Sequence, residues 1–246
     1  MTANSRKSHS LESWVPLKVL VIPAFTAMAT LALLGISGRK ITATTDPRDT
    51  LQMDPPVRFY VLDVLGDGVR LTSAAEGVVF DVDSSGTPVK TAWTAAGSDD
   101  AFVIVAPQVA GKLNGSRLLG TGMSLPDGRR LVNPDRALLA AQGHDLGPDF
   151  RPLDTPENKR RISTLGPEDP VYGAARVWTD RNHDGRADST ELNTFAEAGV
   201  RRINSAFRVR YWKDEHGNAL GPLGNFATLE RGVEVWRDVH IVGFVR

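Results

Sequence analysis

Twelve residues constrain this chain more than any other stretch. The segment DRNHDGRADSTE, residues 180–191, puts acidic or amide side chains at alternate places and a glycine at the sixth. Asp180, Asn182 and Asp184 hold the first, third and fifth places, Asp188 the ninth and Glu191 the twelfth. Alternate side chains can converge only if the backbone coils tightly. Gly185 sits where such a coil must turn through a left-handed conformation that glycine adopts without steric cost. Calcium takes about six to eight hard oxygen ligands at about 2.3–2.6 Å, and this spacing supplies them. Arg186, in the seventh place, would give its backbone carbonyl and leave its side chain in solvent. Glu191 would clamp the ion with both oxygens as a helix begins. Leu192, Phe195 and Ala196 fall at helical spacing within 189–198, and Gly199 suits a C-cap. The expected ligands are Asp180, Asn182, Asp184, Arg186, Asp188 and Glu191, and the expected cofactor is Ca²⁺. Arg181, His183 and Arg186 offset the carboxylate charge, so the affinity is expected in the ~10⁻⁴–10⁻³ M range of extracellular modules.

A second constraint lies at the N-terminus. Residues 19–37, VLVIPAFTAMATLALLGIS, carry no charged side chain. That length is close to the roughly 20 residues that span a bilayer core. Arg6, Lys7 and Lys18 precede the run, against the single acid Glu12. This excess favours a cytoplasmic N-terminus, with the rest of the chain outside. Arg39 and Lys40 intrude where a small-x-small cleavage site would be sought, so an uncleaved anchor is preferred to a cleaved signal peptide. The expectation is a single-pass membrane protein held through residues 19–37, or a secreted one if the segment is removed, with the bulk of the chain extracytoplasmic. The 29 basic and 29 acidic side chains cancel, which argues against nucleic acid as a partner. The absence of cysteine excludes disulfides, thiolate zinc and a cysteine nucleophile. A protein partner is left unnamed.

The chain then divides into a tail at 1–18, the apolar segment at 19–37, a linker at 38–56, a β-rich region at 57–132, a Pro-rich loop at 133–170 and an ordered part at 171–246. Pro55-Pro56 marks the linker. Seven of the fifteen prolines fall within 126–170, where one helix is expected at 135–142, entered through Asn133 and Pro134. Val78, Phe80 and Val82 alternate with Val79, Asp81 and Asp83, as in a strand with two unlike faces. AFVIV at 101–105 suits a buried strand. Further strands are expected at 207–212, 225–229 and 233–245. The fold class is α+β: an N-terminal transmembrane helix, then a β-rich domain of short antiparallel strands carrying an EF-hand-like loop-helix unit.

The wider stretch WTDRNHDGRADSTELNTFAEAGVRRI resembles the calcium-loop repeat of bacterial exported proteins related to haemolysin and RTX-type chains. Trp178 precedes the loop, Glu191-Leu192 follows it, and Gly199-Val200 with Ile203 completes the pattern. DVLGDGVRLTSAAEGVVFDVDSSGTPVKTAW is similar to that group's repeated opening. Asp63 and Asp67 are kept there, while Leu65 replaces a further donor. The resemblance implies an exported calcium-binding protein. It also marks 106–120 as a loop stripped of ligands, with Ala106, Gln108, Ala110 and Arg117 in donor places and no metal expected. Ala187, in the eighth place, argues against pairing with a second such loop. Asp81 with Asp83, and separately Asp99 with Asp100, could form a minor cation site, but read first as turn caps.

His9, His144, His183, His216 and His240 fall in no nucleophile, zincin or phosphate-loop motif, and no catalytic residue is assigned. The leading expectation is a membrane-anchored, extracytoplasmic protein whose one loop binds Ca²⁺ for structural stability. The alternatives are an exported hydrolase with a purely structural calcium, and an interaction or adhesion-type accessory subunit.

Overall fold

Two runs of four apolar residues, FYVL and AFVI, organise the molecule, because both are buried along their whole length. In a strand, successive side chains point to opposite faces, so an unbroken apolar run requires cover on both sides. The computed structural model describes residues 57–105, 113–131, 134–149, 151, 153–156, 164–208 and 211–246. Its strands, in chain order, begin with β1 (Phe59–Leu62), β2 (Val78–Phe80), β3 (Val89–Thr91), β4 (Ala101–Ile104) and β5 (Thr164–Leu165). They continue with β6 (Arg176–Trp178), β7 (Leu192–Thr194), β8 (Val200–Arg208), β9 (Trp212–Lys213), β10 (Ala219–Glu230) and β11 (Val233–Gly243). Two short helices accompany them, α1 (Asp135–Ala141) and α2 (Pro170–Ala174).

The main sheet runs in the order β5-β8-β10-β11-β1-β4-β6-β7, with β9 added to β10, and every pairing is antiparallel. Leu62 of β1 stands opposite Val239 of β11 on one side and Ala101 of β4 on the other. Phe102 of β4 is opposite Trp178 of β6. The alternation sorts the core into two layers. Tyr60, Leu62, Ala101 and Val103 pack on one face with Phe195, Ile203 and Phe226, together with Leu138 of α1. Phe59, Val61, Phe102 and Ile104 pack on the other with Phe80, Trp93, Trp178 and Phe244. The separate β2–β3 hairpin covers this second, aromatic layer.

Three expectations are corrected here. Among the described residues the architecture is mostly antiparallel β with two short helices, and not α+β. The segment after Glu191 is no EF-hand helix. Leu192, Asn193 and Thr194 pair with Trp178, Val177 and Arg176, so β6, the loop and β7 form a hairpin. Phe195, which suggested a helical face, is buried from the turn that follows, and Gly199 has φ +71° ahead of a strand. Pairing of an edge strand with β6 outweighs a helical period that spans barely one turn. Finally, among the described residues no helix is long and apolar enough to cross a membrane. The expected membrane partner and single-pass placement therefore find no support in any described helix. Residues 19–37, to which they were assigned, lie outside the described residues.

Candidate metal centre

The loop from Asp180 to Glu191 is held at both ends. Trp178 pairs with Leu192, and the Thr179 N–H donates to the Glu191 carbonyl at 3.2 Å. Asp180 and Glu191 are thereby drawn into the protein, at 2% and 4% exposure. Asp180 accepts the N–H of Asp184 at 3.1 Å and that of Gly185 at 2.9 Å. Glu191 reaches back across the loop and accepts the N–H of Arg181 at 2.9 Å and of Asn182 at 3.2 Å. Each carboxylate also meets an indole of the aromatic layer. Trp93 Nε1 donates to Asp180 at 2.8 Å and Trp178 Nε1 donates to Glu191 at 3.3 Å. The loop is in this way bolted to the core.

Burial raises the Asp180 pKa, and the charge of Glu191 adds to that rise, while N–H donors from Gly185, Asp184 and Trp93 pull it down. Among the described residues no salt bridge neutralises either carboxylate: the Arg181 guanidinium donates to the Thr190 carbonyl and His183 contacts the Glu76 carbonyl. The two buried charges are compensated by N–H donors alone, with no paired cation among the described residues.

The other loop donors are placed less tightly. Asn182 donates to Asp184 at 3.2 Å, so these two side chains are neighbours, and both are exposed. Asp188 is exposed, and its N–H lies 3.5 Å from the Glu191 carboxylate. No three carboxylates of this loop gather within 4.8 Å of one another. The structure therefore brings Asp180 and Glu191 together, sets Asn182 beside Asp184, and leaves Asp188 and Arg186 at the rim.

Among the described residues the same backbone form occurs three times. In 63–68, 81–86 and 180–185 the fourth and sixth residues are left-handed: Gly66 and Gly68 at +77° and +97°, Ser84 and Gly86 at +58° and +83°, His183 and Gly185 at +57° and +70°. In each, the first aspartate is buried and accepts the N–H of the sixth residue, at 3.0 Å for Asp63, 3.0 Å for Asp81 and 2.9 Å for Asp180. Their charge balance differs. Asp83 is bridged by Arg246 at 2.9 Å, and hydrogen bonds from Ser85 and Arg246 bring its pKa down to about 2. Arg246 serves Asp83 alone, while Asp81 Oδ1 is buried without a hydrogen-bond partner. The expectation of turn-capping for Asp81 and Asp83 fits this geometry.

Asp63, Asp67 and Asp99 carry oxygens that all lie within 4.8 Å of one another, an arrangement that can hold a metal ion. In the sequence Asp63 and Asp67 stand in the motif of one loop, while Asp99 lies apart from it. The pairing of β1 with β4 brings Asp63 and Asp99 together, because one follows β1 and the other precedes β4. No local spacing signals that meeting. In the ligand-stripped loop, residues 106–112 lie outside the described residues, and Arg117 ends a short 3₁₀ turn at Gly115–Arg117.

The family model described as the SPM domain matches residues 60–242. The iron-regulated protein FrpA of Neisseria meningitidis serogroup C is 26% identical over 195 residues, which is 74% of this chain and 16% of that protein. The chain thus spans much less than two thirds of that relative.

Proposed function

The chain belongs to the SPM domain family, and on that premise we propose that it is a calcium-binding module whose 180–191 loop locks a β-hairpin onto an aromatic core. The observation that carries this reading is the pair of buried carboxylates, Asp180 and Glu191, with no salt bridge to either among the described residues. A divalent cation balances both charges at once. The donors would be the side chains of Asp180, Asn182, Asp184, Asp188 and Glu191 and the carbonyl of Arg186, all hard oxygens in calcium-loop order. The likeness of this stretch to haemolysin-type and RTX-type calcium loops points the same way. An EF-hand helix is not needed, since β7 holds Glu191 at the closing place.

The role of the ion is structural. Trp178 and Leu192 pair at the loop's base, and Trp93 joins Asp180 across 87 residues of sequence. Neutralising the two carboxylates therefore stabilises the β6–β7 edge and the aromatic layer together.

Terbium, a calcium mimic that emits when a nearby indole is excited, tests the reading. Trp93 and Trp178 both hydrogen-bond to the proposed ligands. Excitation of tryptophan in the full chain should produce terbium emission that added calcium displaces. Glu191→Gln should remove most of that emission, and so should Trp178→Phe combined with Trp93→Phe. Emission that is absent, or that is indifferent to Glu191→Gln, contradicts the proposal.

A further inference from the structure

The long β10–β11 hairpin reaches past the end of β1. β1 pairs with β11 only over Val239–Val242, and the Asp63 N–H then donates to the Asp238 carbonyl at 3.2 Å before the chain turns into its loop. In an antiparallel ladder, alternate residues direct both backbone groups to the same side. Asp238 faces β1, so Trp236 and Glu234 point their N–H and C=O the same way, where no described strand pairs with them. Val235 and Val233 face β10 instead, opposite Thr228 and Glu230. An open strand edge is a template for another chain unless a lysine, a proline or a bulge blunts it. Residues 233–236 read VEVW and have none of these.

The side chains along this edge are uncovered too. Trp236 is 48% exposed and Val233 64%, and Leu229, opposite Glu234, is 44% exposed. Successive side chains alternate between faces, so Glu234, Trp236 and Asp238 share one face and Val233 and Val235 the other. Trp236 thus stands between two exposed carboxylates. Glu234 meets Arg202 at 3.6 Å, a weak exposed contact, and Asp238 has no salt bridge among the described residues. Arg237 projects from the opposite face, where Glu230 and the Leu65 carbonyl engage it. One face of the edge is therefore acidic around an indole, and the other is aliphatic. A second copy of the same edge would lay like charges side by side, which disfavours self-pairing.

We propose that residues 233–238 of β11 are a docking edge for an extended basic peptide segment of a partner protein, which adds a strand in line with β1. Main-chain bonds to Glu234 and Trp236 hold the peptide, and alternate side chains select it. Its basic side chains share the face of Glu234, Trp236 and Asp238, where a cation meets both carboxylates and the face of the indole. Its apolar side chains share the face of Val233 and Val235. The sequence pattern that fits is an alternation of basic and apolar residues. This inference does not rest on the reading of the 180–191 loop.

The test titrates a fluorescein-labelled, alternating lysine–valine octapeptide with the full chain and reads its anisotropy. An alternating glutamate–valine octapeptide is the control. Hydrogen exchange followed by NMR locates the contact. In the free chain the amides of Glu234 and Trp236 face solvent and should exchange fast, while those of Val235 and Arg237 face β10 and should exchange slowly. The lysine–valine peptide should bind and slow the first two by about tenfold or more, and the glutamate–valine peptide should do neither. Glu234→Gln combined with Asp238→Asn should weaken binding about tenfold. Glu234→Pro should abolish it, because that N–H points off the sheet and its loss breaks no bond within the hairpin. The charge variant and the exchange pattern decide the matter if proline disturbs the fold. Unchanged exchange at Glu234 and Trp236, or equal binding of the two peptides, overturns the proposal. Slowing of those two amides through self-association, without peptide, also overturns it, since the occupant would then be a second copy.

Discussion

Glu191→Gln should erase the calcium-dependent rise in melting temperature expected from the proposed 180–191 site. An ion bound only by the folded chain adds about RT ln(1 + [Ca]/Kd), which is about 2.7 kcal/mol at a hundred times Kd. For a domain of this size each kcal/mol moves the midpoint by about 2–4 °C, so wild type should melt about 5–10 °C higher in calcium than in chelator. Glu191 holds the proposed closing place and is half of the buried carboxylate pair. Glutamine removes its charge but keeps one oxygen for the Arg181 and Asn182 N–H groups that Glu191 now accepts. The variant should therefore fold in chelator and respond to calcium only through any other site. Thermal melts of wild type and variant, each with calcium and with chelator, make the comparison. An undiminished shift in Glu191→Gln places the stabilising ion elsewhere.

Trp93→Ala should be the most damaging single change in the aromatic layer. Trp93 is fully buried, and its ring lies 4.5 Å from Phe102, 4.8 Å from Phe80, 5.2 Å from Phe244 and 5.8 Å from Trp178, measured between centroids. Removing a large ring from such a place costs about 3–5 kcal/mol through lost contact and residual cavity. The change also takes from Asp180 the indole donor at 2.8 Å. Trp93→Phe separates the two effects, since it keeps an aromatic ring and loses the donor. A hydrogen bond to a charged group contributes about 1.5–3 kcal/mol, so the phenylalanine variant should lose that much and the alanine variant clearly more. Urea denaturation in chelator reads both. A loss below about 1 kcal/mol for Trp93→Ala would mean that the β2–β3 hairpin does not pack on the sheet as described.

The parts of the fold that could be read from the sequence are those whose cause is local. FYVL and AFVI are apolar without interruption, and both are central strands buried on two faces. DRALLAA begins after a proline and buries Ala137 and Leu138, as a short helix should. The 180–185 coil could be read too, because alternating acids and a sixth-place glycine are a local pattern, and the backbone takes the left-handed turns they call for. What could not be read depends on partners far along the chain. Leu192, Phe195 and Ala196 have helical spacing on paper, but β6 pairs with Leu192 to Thr194 and decides the matter. Likewise Asp99 looks like a loop acid until β4 brings it beside Asp63. The indole of Trp93 lies 87 residues before Asp180, and no sequence period joins the two.

The central claim is that Asp180 and Glu191 are balanced by one calcium ion. Calorimetric titration of the full chain with Ca²⁺, run beside Glu191→Gln, tests it most directly. The account predicts saturable binding with Kd in the ~10⁻⁴–10⁻³ M range for wild type, with one binding event lost in the variant. An isotherm that shows dilution heat alone, or one that is the same for both proteins, contradicts it.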